Sequence, residues 1–154
     1  MININLPIEL ELAFVSGWGD APANPSHKLM SASVYIRKHE ECEAKWKKSG
    51  ARAVVTNNML CAGGAHDACH GDSGGPLTCT KSLPNSGKQR HLCGIVSKGA
   101  NCSIPLTTKK AYPGVYTDVS KYGEWISRQI TAWGIHSFDN NDAIYQSLKT
   151  HFQT

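Results

Sequence analysis

The sequence predicts an all-β fold, a small antiparallel barrel or sandwich that ends in one helix. Three observations lead to this prediction: several short strand-like segments, turn residues between them, and one strong helical pattern near the C-terminus. The chain has 154 residues, of which 40% are hydrophobic and 18% are charged, as expected of one globular domain. Hydrophobic periodicity alone does not distinguish the barrel from the sandwich.

The first half of the chain contains two strand patterns and a short helix. Leu12–Gly17 is apolar and runs into a Gly-rich turn, while Met30–Arg37 alternates loosely and contains β-branched residues. Both features are typical of half-buried strands. His39–Lys48 is predicted as a helix because Cys42 and Trp46 fall one turn apart, on the same face.

Four further strands follow along the chain. A short strand is predicted over Asn58–Ala62, before a Gly-Gly turn. Gly75–Thr80 and His91–Ser97 are predicted to form a hairpin, because a polar loop containing Pro, Asn and Gly joins them. Gly114–Val119 is the last predicted strand.

The helical pattern begins immediately after this strand. We expect Ser120 to be the N-cap of a helix from Lys121 to Trp133, ended by Gly134. Its apolar side chains repeat at the spacing of one buried stripe: Tyr122, Trp125, Ile126, Ile130 and Trp133. We therefore expect residues 1–133 to form the domain and residues 134–154, which are polar and weakly patterned, to be a tail.

Charge and composition exclude several classes of function. The net charge of +4 is modest, and the cluster of Lys45, Lys47 and Lys48 is typical of a solvated helix face rather than a nucleic-acid patch. No apolar run approaches the ~20 residues that span a bilayer. No Gly-rich loop joins a strand to a helix as a cofactor phosphate site requires. We expect neither nucleic acid, membrane, cofactor nor metal as a partner.

The cysteine count points to an oxidising compartment. Six cysteines in a short chain are consistent with three disulfides, which persist outside the cytosol. Met1–Asn5 lacks the basic start of a signal peptide, and two glutamates interrupt the apolar stretch that follows. We therefore expect that the natural N-terminus is missing from this sequence.

The most specific motif is Gly-Asp-Ser-Gly-Gly-Pro at residues 71–76. Small residues on both sides of Ser73 allow another backbone to approach its hydroxyl closely, as a nucleophilic serine requires. Gly71 lies two positions earlier, so that its N–H and that of Ser73 can point at one developing oxyanion. The motif predicts acyl-transfer chemistry and two partners for Ser73, a histidine and a buried aspartate.

Four ordered motifs carry a family resemblance. Residues 69–77 contain the Gly-Asp-Ser-Gly-Gly-Pro motif; Ser-Gly-Trp-Gly at 16–19 precedes it, and Gly-Ile-Val-Ser at 94–97 and Pro-Gly-Val-Tyr-Thr at 113–117 follow it. From about Leu6 to Trp133 the chain resembles the second half of a chymotrypsin/trypsin-like serine protease domain. The resemblance implies the C-terminal half of a two-barrel fold: a six-stranded antiparallel barrel with a short helix and a C-terminal helix.

The resemblance implies roles residue by residue. Ser73 matches the nucleophile, and Gly71 and Ser73 match the oxyanion-hole donors. Asp72 matches the carboxylate that pairs with the α-amino group released when the zymogen is cleaved. Ser97 matches a cleft residue that supports the substrate backbone.

The resemblance also implies a pocket for a basic side chain. Asp67 matches the acid at the base of the primary specificity pocket, where it would pair with Arg or Lys of a substrate. Gly99 and Gly114 match the small residues that keep this pocket open. Ala68 replaces a hydroxyl that some members carry, which favours Arg over Lys because Arg can pair bidentately with a carboxylate.

The family pattern implies the disulfides Cys42–Cys61 and Cys69–Cys102. In the family, the cysteine that matches Cys79 usually pairs with one just before the Ser-Gly-Trp-Gly segment. That place holds Ala13 here. Cys93, across the hairpin, is the remaining candidate, and we predict a Cys79–Cys93 disulfide.

Three features depart from the family pattern. Lys98 stands where the family commonly has Trp, which forms an apolar wall for substrate residues upstream of the cut. Asn101 stands where Gly is usual beside the pocket rim. A long loop, residues 103–112, follows Cys102 and could change access to the pocket.

The two partners of the nucleophile are absent from this sequence. In the family both the histidine and the aspartate precede the nucleophile, but the fifteen residues before Ser16 contain neither. All seven histidines come later, and none has the sequence context of the general base. A serine without a base is a poor nucleophile, so we expect the chain to be inactive without the N-terminal barrel.

Two hypotheses about function follow. The first is an extracellular serine endopeptidase, truncated in this sequence, which cleaves protein or peptide substrates after Arg or Lys and is a target of protein protease inhibitors. The alternative is a non-catalytic, protease-like module that binds a partner without cutting it. Lys98 and the missing N-terminal half support the alternative, whereas the joint presence of Ser73, Gly71 and Asp67 supports the first.

Overall fold

A computed structural model describes residues 12–20, 28–48, 54–83, 87–100 and 112–132. One compact unit ends at Thr117 and a second begins at Asp118. The described residues form six strands: β1 (Leu12–Gly17), β2 (Met30–Arg37), β3 (Met59–Gly63), β4 (Pro76–Leu83), β5 (Gly87–Lys98) and β6 (Gly114–Asp118). They also form helix α1 (His39–Lys48), a 3₁₀ turn (Val119–Tyr122) and helix α2 (Gly123–Ala132).

The six strands close into an antiparallel barrel in the order β1-β2-β3-β6-β5-β4. Closure depends on β1, which pairs with β2 on one side and with β4 on the other. Phe14, for example, lies opposite Ser33 and opposite Thr78. The predicted antiparallel all-β fold is confirmed, and of the two arrangements left open the structure adopts the barrel.

The barrel interior is filled by alternate residues of its strands, because successive side chains of a strand point to opposite faces. On β1, Ala13 and Val15 are buried while Leu12 is exposed. The buried side chains of this cluster are mostly aliphatic: Ala13, Val15, Val34, Ala62, Leu77, Cys79, Val96 and Tyr116. Tyr116 is the largest of them, and its hydroxyl contacts the site described below.

Helix α1 begins and ends where the sequence predicted, and its buried face consists of Cys42 and Trp46. Cys42 forms a disulfide with Cys61 of β3, and the two Cα atoms lie 6.3 Å apart. The indole Nε1 of Trp46 donates a hydrogen bond of 3.1 Å to the carbonyl of Pro113. The helix is thereby attached both to β3 and to the chain entering β6.

Two boundary predictions were wrong by more than one residue. The arms of the β4–β5 hairpin extend to Leu83 and begin at Gly87, because backbone pairing continues beyond the apolar residues from which the strands were predicted. Ser120 is not an N-cap: Asp118 is, and its carboxylate accepts hydrogen bonds from the backbone N–H and hydroxyl of Ser120. The α-helix consequently begins at Gly123, after the 3₁₀ turn. Residues 133–154, including the predicted tail, lie outside the described residues.

Candidate active site

Ser73 lies in a tight turn that leads directly into β4. Backbone hydrogen bonds fix this turn: Asp72 N–H donates to the Cys69 carbonyl at 3.0 Å, and Gly75 N–H donates to the Asp72 carbonyl at 2.8 Å. Two more bonds join the turn to β5, from Gly74 N–H to the Val96 carbonyl and from Val96 N–H to the Gly75 carbonyl, each 2.9 Å. The position of Ser73 is thereby tied to the end of β5 that carries Ser97.

Position 71 requires a residue without a side chain. Its φ of +93° lies in the left-handed region, and a Cβ at this position would lie 3.0 Å from the Cα of Gly19. Within the described part of the chain, no acceptor takes the backbone N–H of Gly71 or of Ser73. These two donors, one on each side of Asp72, are those expected from the sequence to face an oxyanion.

The Asp72 carboxylate points back toward the end of β1. One oxygen accepts the Gly19 N–H at 2.8 Å, and the other accepts the Cys69 N–H at 2.9 Å. A Cβ at Gly17 would overlap Asp72 Oδ1, and a Cβ at Gly19 would lie 2.5 Å from Asp72 Cγ. The close approach of this carboxylate therefore explains both glycines of the Ser-Gly-Trp-Gly motif, to which the sequence analysis assigned no physical role.

A cavity of about 240 Å³ opens beside Ser73. The residues that the sequence assigned to substrate binding line this one cavity together with the predicted nucleophile: Asp67, Ser73, Ser97, Gly99 and Gly114. They come from three separate parts of the chain, the loop after β3, the end of β5 and the start of β6. The barrel topology is what brings them together.

Asp67 and two glycines define the acidic part of this cavity. Asp67 Oδ1 accepts the backbone N–H of Ala68 at 2.8 Å. A Cβ added at Gly114 would lie 2.6 Å from Asp67 Oδ1, and one at Gly99 would lie 3.8 Å from Oδ2. Both glycines thus leave space directly in front of the carboxylate, and at Gly114 no larger residue fits without displacing it.

Tyr116 is a site residue that the sequence analysis missed. Its hydroxyl lies 3.3 Å from Asp67 Oδ1, to which it donates a hydrogen bond, and its ring lines the cavity. Burial, and secondly the charge of Asp67, raise the pKa of the Tyr116 phenol above its ordinary value. A signal was available in the sequence: Tyr116 follows Gly114 by two residues on one strand, so both must face the same side.

Lys98 lines the same cavity, at the end of β5 between Ser97 and Gly99. Its Nζ donates a hydrogen bond of 2.8 Å to the carbonyl of Val54, in the segment before β3. The departure from the family pattern that the sequence showed at this position therefore places a lysine, rather than a tryptophan, among the residues that line the cavity.

One histidine of the described residues lies at this cavity. His70 lines the cavity, and its backbone carbonyl accepts the Asp20 N–H at 2.7 Å. In the ranges that the structure describes, no histidine side chain is hydrogen bonded to the Ser73 hydroxyl. The same ranges contain no group of three or more potential metal ligands and no helix long and apolar enough to cross a bilayer.

Two further disulfides involve described cysteines, one in the barrel interior and one at the cavity. Cys79 and Cys93 form a disulfide across the β4–β5 hairpin, with their Cα atoms 5.7 Å apart. Ala13 lies directly opposite Cys79 in the β1–β4 register. Cys69 is also disulfide-bonded; its predicted partner, Cys102, lies outside the described residues, as does Asn101.

Known proteins resemble this chain in sequence and in structure. A family model described as Trypsin matches residues 5–126. The chain is 37% identical over 123 residues to Serine protease 41 from Homo sapiens, covering 75% of this chain and 36% of that protein. It is 37% identical over 124 residues to Anionic trypsin from Bos taurus, covering 77% of this chain and 42% of that protein.

A solved structure of a serine protease is also similar to this chain. The chain of neuropsin, a serine protease expressed in the limbic system of mouse brain, is similar to this one with a TM-score of 0.56 and 32% sequence identity. The similarity covers 79% of this chain and 48% of the neuropsin chain. The chain thus spans less than half the length of each of these three proteins.

Proposed function

Because this chain belongs to the trypsin family of serine proteases, we propose that Ser73 is the nucleophile of a serine endopeptidase that cleaves after Arg or Lys. The observation that carries the proposal is the common cavity: Ser73 and the Asp67 carboxylate line it together, with glycines facing that carboxylate. A basic side chain bound in the cavity would hold the following peptide bond near the Ser73 hydroxyl.

The proposed reaction is acyl transfer. The Ser73 oxygen attacks the carbonyl carbon of the peptide bond and loses its proton to a base, and the C–N bond then breaks as the amine leaves with a proton. Water hydrolyses the resulting ester and regenerates the hydroxyl. The backbone N–H groups of Gly71 and Ser73 stabilise the oxyanion of each tetrahedral intermediate, and one such donor contributes about 3–4 kcal/mol in other enzymes.

Specificity is proposed to come from the charge of Asp67. A carboxylate in a narrow cavity favours a cationic partner because an unpaired charge there is poorly solvated. The guanidinium of Arg can meet both carboxylate oxygens at once, whereas Lys offers a single ammonium. Ala68 supplies no hydroxyl to assist a shorter ammonium contact, so we expect Arg to be preferred.

The base is proposed to lie outside these 154 residues. No histidine or aspartate precedes Ser16, and family members place their catalytic histidine and aspartate ahead of the nucleophile. We therefore propose that Ser73 forms no acyl-enzyme until an N-terminal barrel supplies them. The Cys42–Cys61 and Cys79–Cys93 disulfides support an extracellular location, where protein substrates and protein inhibitors would reach the cavity.

Two measurements on the 154-residue chain test the proposal. Calorimetric titration with n-butylguanidine, a mimic of the Arg side chain, should show binding. The affinity for n-butylamine, a mimic of the Lys side chain, should be much lower. Asp67→Asn should abolish guanidine binding, whereas Asp118→Asn, a substitution outside the cavity, should leave it unchanged. Binding that survives Asp67→Asn would show that the proposed specificity residue is wrong.

A fluorophosphonate probe tests the missing base. We expect no more labelling of this chain than of its Ser73→Ala variant. Labelling at the rate of an active protease would show that the 154 residues contain their own base. If the guanidine fails to bind and a protein partner binds elsewhere on the chain, the alternative of a non-catalytic module is the better account.

A further inference from the structure

The β4–β5 hairpin continues beyond the part of the barrel that β1 closes. β1 pairs with β4 only from Leu77 to Cys79, whereas β4 and β5 remain paired as far as Leu83 and Gly87. Residues 80–83 and 87–90, which we call the hairpin arms, therefore pair with each other without β1. They form a two-stranded extension of the barrel.

The hairpin arms carry positive charge without negative charge. Lys81, Lys88 and Arg90 are exposed, and the arms contain neither Asp nor Glu. The sequence around them shows the same bias: no acidic residue lies between Asp72 and Asp118, a stretch that contains six lysines and arginines. The ion pairs between described residues do not involve Lys88 or Arg90. An excess of positive charge therefore remains at the arms, although the net charge of the chain is only +4.

Lys88 and Arg90 lie on the same face of the arms, because side chains two residues apart on a strand point to the same side. This face is the outer one: His91, the neighbour of Arg90, lies opposite Cys79, whose side chain is buried in the barrel interior. Two cationic side chains thus follow each other along the outer face at a spacing of about 7 Å.

Phe14 of β1 positions the Arg90 side chain. The guanidinium carbon of Arg90 lies over the Phe14 ring, 4.4 Å from its centroid, a contact in which the ring attracts the cation. A guanidinium held against a ring keeps N–H donors along its edge, in the fork that meets two oxygens of one anion. The contact also restricts the side chain before a ligand binds, which reduces the entropy lost on binding. Arg90 is therefore prepared to bind an oxyanion from solvent.

We propose that the outer face of the hairpin arms binds a linear sulfated polysaccharide. Such a chain presents oxyanions at short intervals, which suits two successive cations on an exposed ribbon without acidic residues. A polysaccharide is favoured over nucleic acid because the disulfides of the chain are typical of an extracellular protein. It is favoured over a flexible acidic peptide because its rigid sugar rings lose less conformational entropy on binding. The inference does not depend on the catalytic role of Ser73.

A defined ligand tests the inference on the 154-residue chain. The probe is a fully sulfated heparin hexasaccharide, added during a ¹H–¹⁵N NMR titration at about 50 mM salt, where screening is modest. We expect saturable binding, with the largest changes in chemical shift at residues of the hairpin arms. A chemically desulfated hexasaccharide should bind several-fold more weakly, because it retains only the carboxylates of its uronic acids.

Substitutions identify the side chains responsible. Lys88→Gln and Arg90→Gln should each weaken binding about two- to five-fold, the range of an exposed ion pair, and should make the affinity less dependent on salt. Arg90→Lys should lose part of the affinity, because it keeps the charge but not the fork. Lys45→Gln is the matched control: Lys45 is also exposed but belongs to α1, so this variant should bind as tightly as the natural chain.

Several outcomes contradict the inference. If the sulfated hexasaccharide does not bind saturably, or if its binding leaves the shifts of the hairpin arms unchanged, the arms are not a polysaccharide site. An equal loss of affinity in Lys45→Gln and Arg90→Gln would show that binding follows net charge alone. A hexaglutamate peptide that binds the arms more tightly than the hexasaccharide would identify an acidic protein as the partner. Shift mapping on the natural chain decides the question even if a variant fails to fold.

Discussion

The barrel interior contains a second position, now occupied by Ala13, at which a cysteine could form a disulfide with Cys79. Cys79 is bonded to Cys93, but in the β1–β4 register it lies directly opposite Ala13, which is completely buried. Residues directly opposite in antiparallel strands have Cα atoms about 4.5–5.5 Å apart, within the range that a disulfide spans. We predict that Ala13→Cys combined with Cys93→Ala moves the disulfide of Cys79 from β5 to the substituted position on β1.

The expected size of the effect follows from the lengths of the two loops. The natural bond joins residues with a sequence separation of 14, for which the chain-entropy model gives about 3 kcal/mol of stabilisation. The relocated bond closes a loop of about 66 residues, for which the same model gives about 4 kcal/mol. Cys93→Ala alone should therefore lower the free energy of unfolding by about 3 kcal/mol, and adding Ala13→Cys should recover all of this loss.

The assay combines peptide mapping without reduction with urea denaturation followed by tryptophan fluorescence. Leu12→Cys combined with Cys93→Ala is the control, because Leu12 is the neighbouring residue on the outer face of β1 and is exposed. It should form no bond to Cys79 and recover no stability. If the variant with Ala13→Cys and Cys93→Ala folds with free thiols on both β1 and β4, the β1–β4 register from which the prediction is made is refuted.

Two further predictions concern the site. Gly17→Ala should lower the free energy of unfolding by about 3 kcal/mol, because its Cβ displaces the Asp72 carboxylate from two backbone N–H donors. Gly64→Ala is the control and should be tolerated, because the atom nearest to its added Cβ is 3.5 Å away. If urea titrations show the same loss of stability in both variants, the explanation given for Gly17 is wrong. The raised pKa of Tyr116 means that the folded protein keeps a proton that the unfolded chain releases above about pH 10, so this residue should lower stability by about 1.4 kcal/mol per pH unit above that pH. Tyr116→Phe should remove that part of the alkaline slope in urea titrations between about pH 9 and 11, and an unchanged slope would show that the phenol is not protected.

The local parts of the fold could be predicted because their signals are local. Helix α1 is marked by Cys42 and Trp46 one turn apart, and β1 and β2 by apolar, β-branched stretches; the predicted bounds of all three are those observed. The N-cap at Asp118 was missed because Ser120 is an equally acceptable capping residue by type. Only the direction of the Asp118 carboxylate decides between them.

The contacts of the site could not be predicted, because they join residues that are far apart in sequence. Tyr116 meets Asp67 across 49 positions, and Gly19 meets Asp72 across 53. The periodicity of hydrophobic residues along the sequence does not indicate such contacts. The positions of Ser73, Asp67, Gly99 and Gly114 at one cavity were expected only from the family resemblance, whereas the reason for Gly17 and Gly19 appeared only when the Asp72 carboxylate was located.

The closure of the barrel through β1 and β4 has a consequence for how the chain folds. Phe14 and Thr78, which pair in that closure, lie 64 positions apart, and pairing over such a separation costs chain entropy before it gains any contact. The Ser73 turn immediately precedes β4, and Asp72 ties it to the end of β1. The turn is therefore expected to become ordered late, together with barrel closure, so that partly folded chains expose neither an oxyanion site nor a shaped cavity.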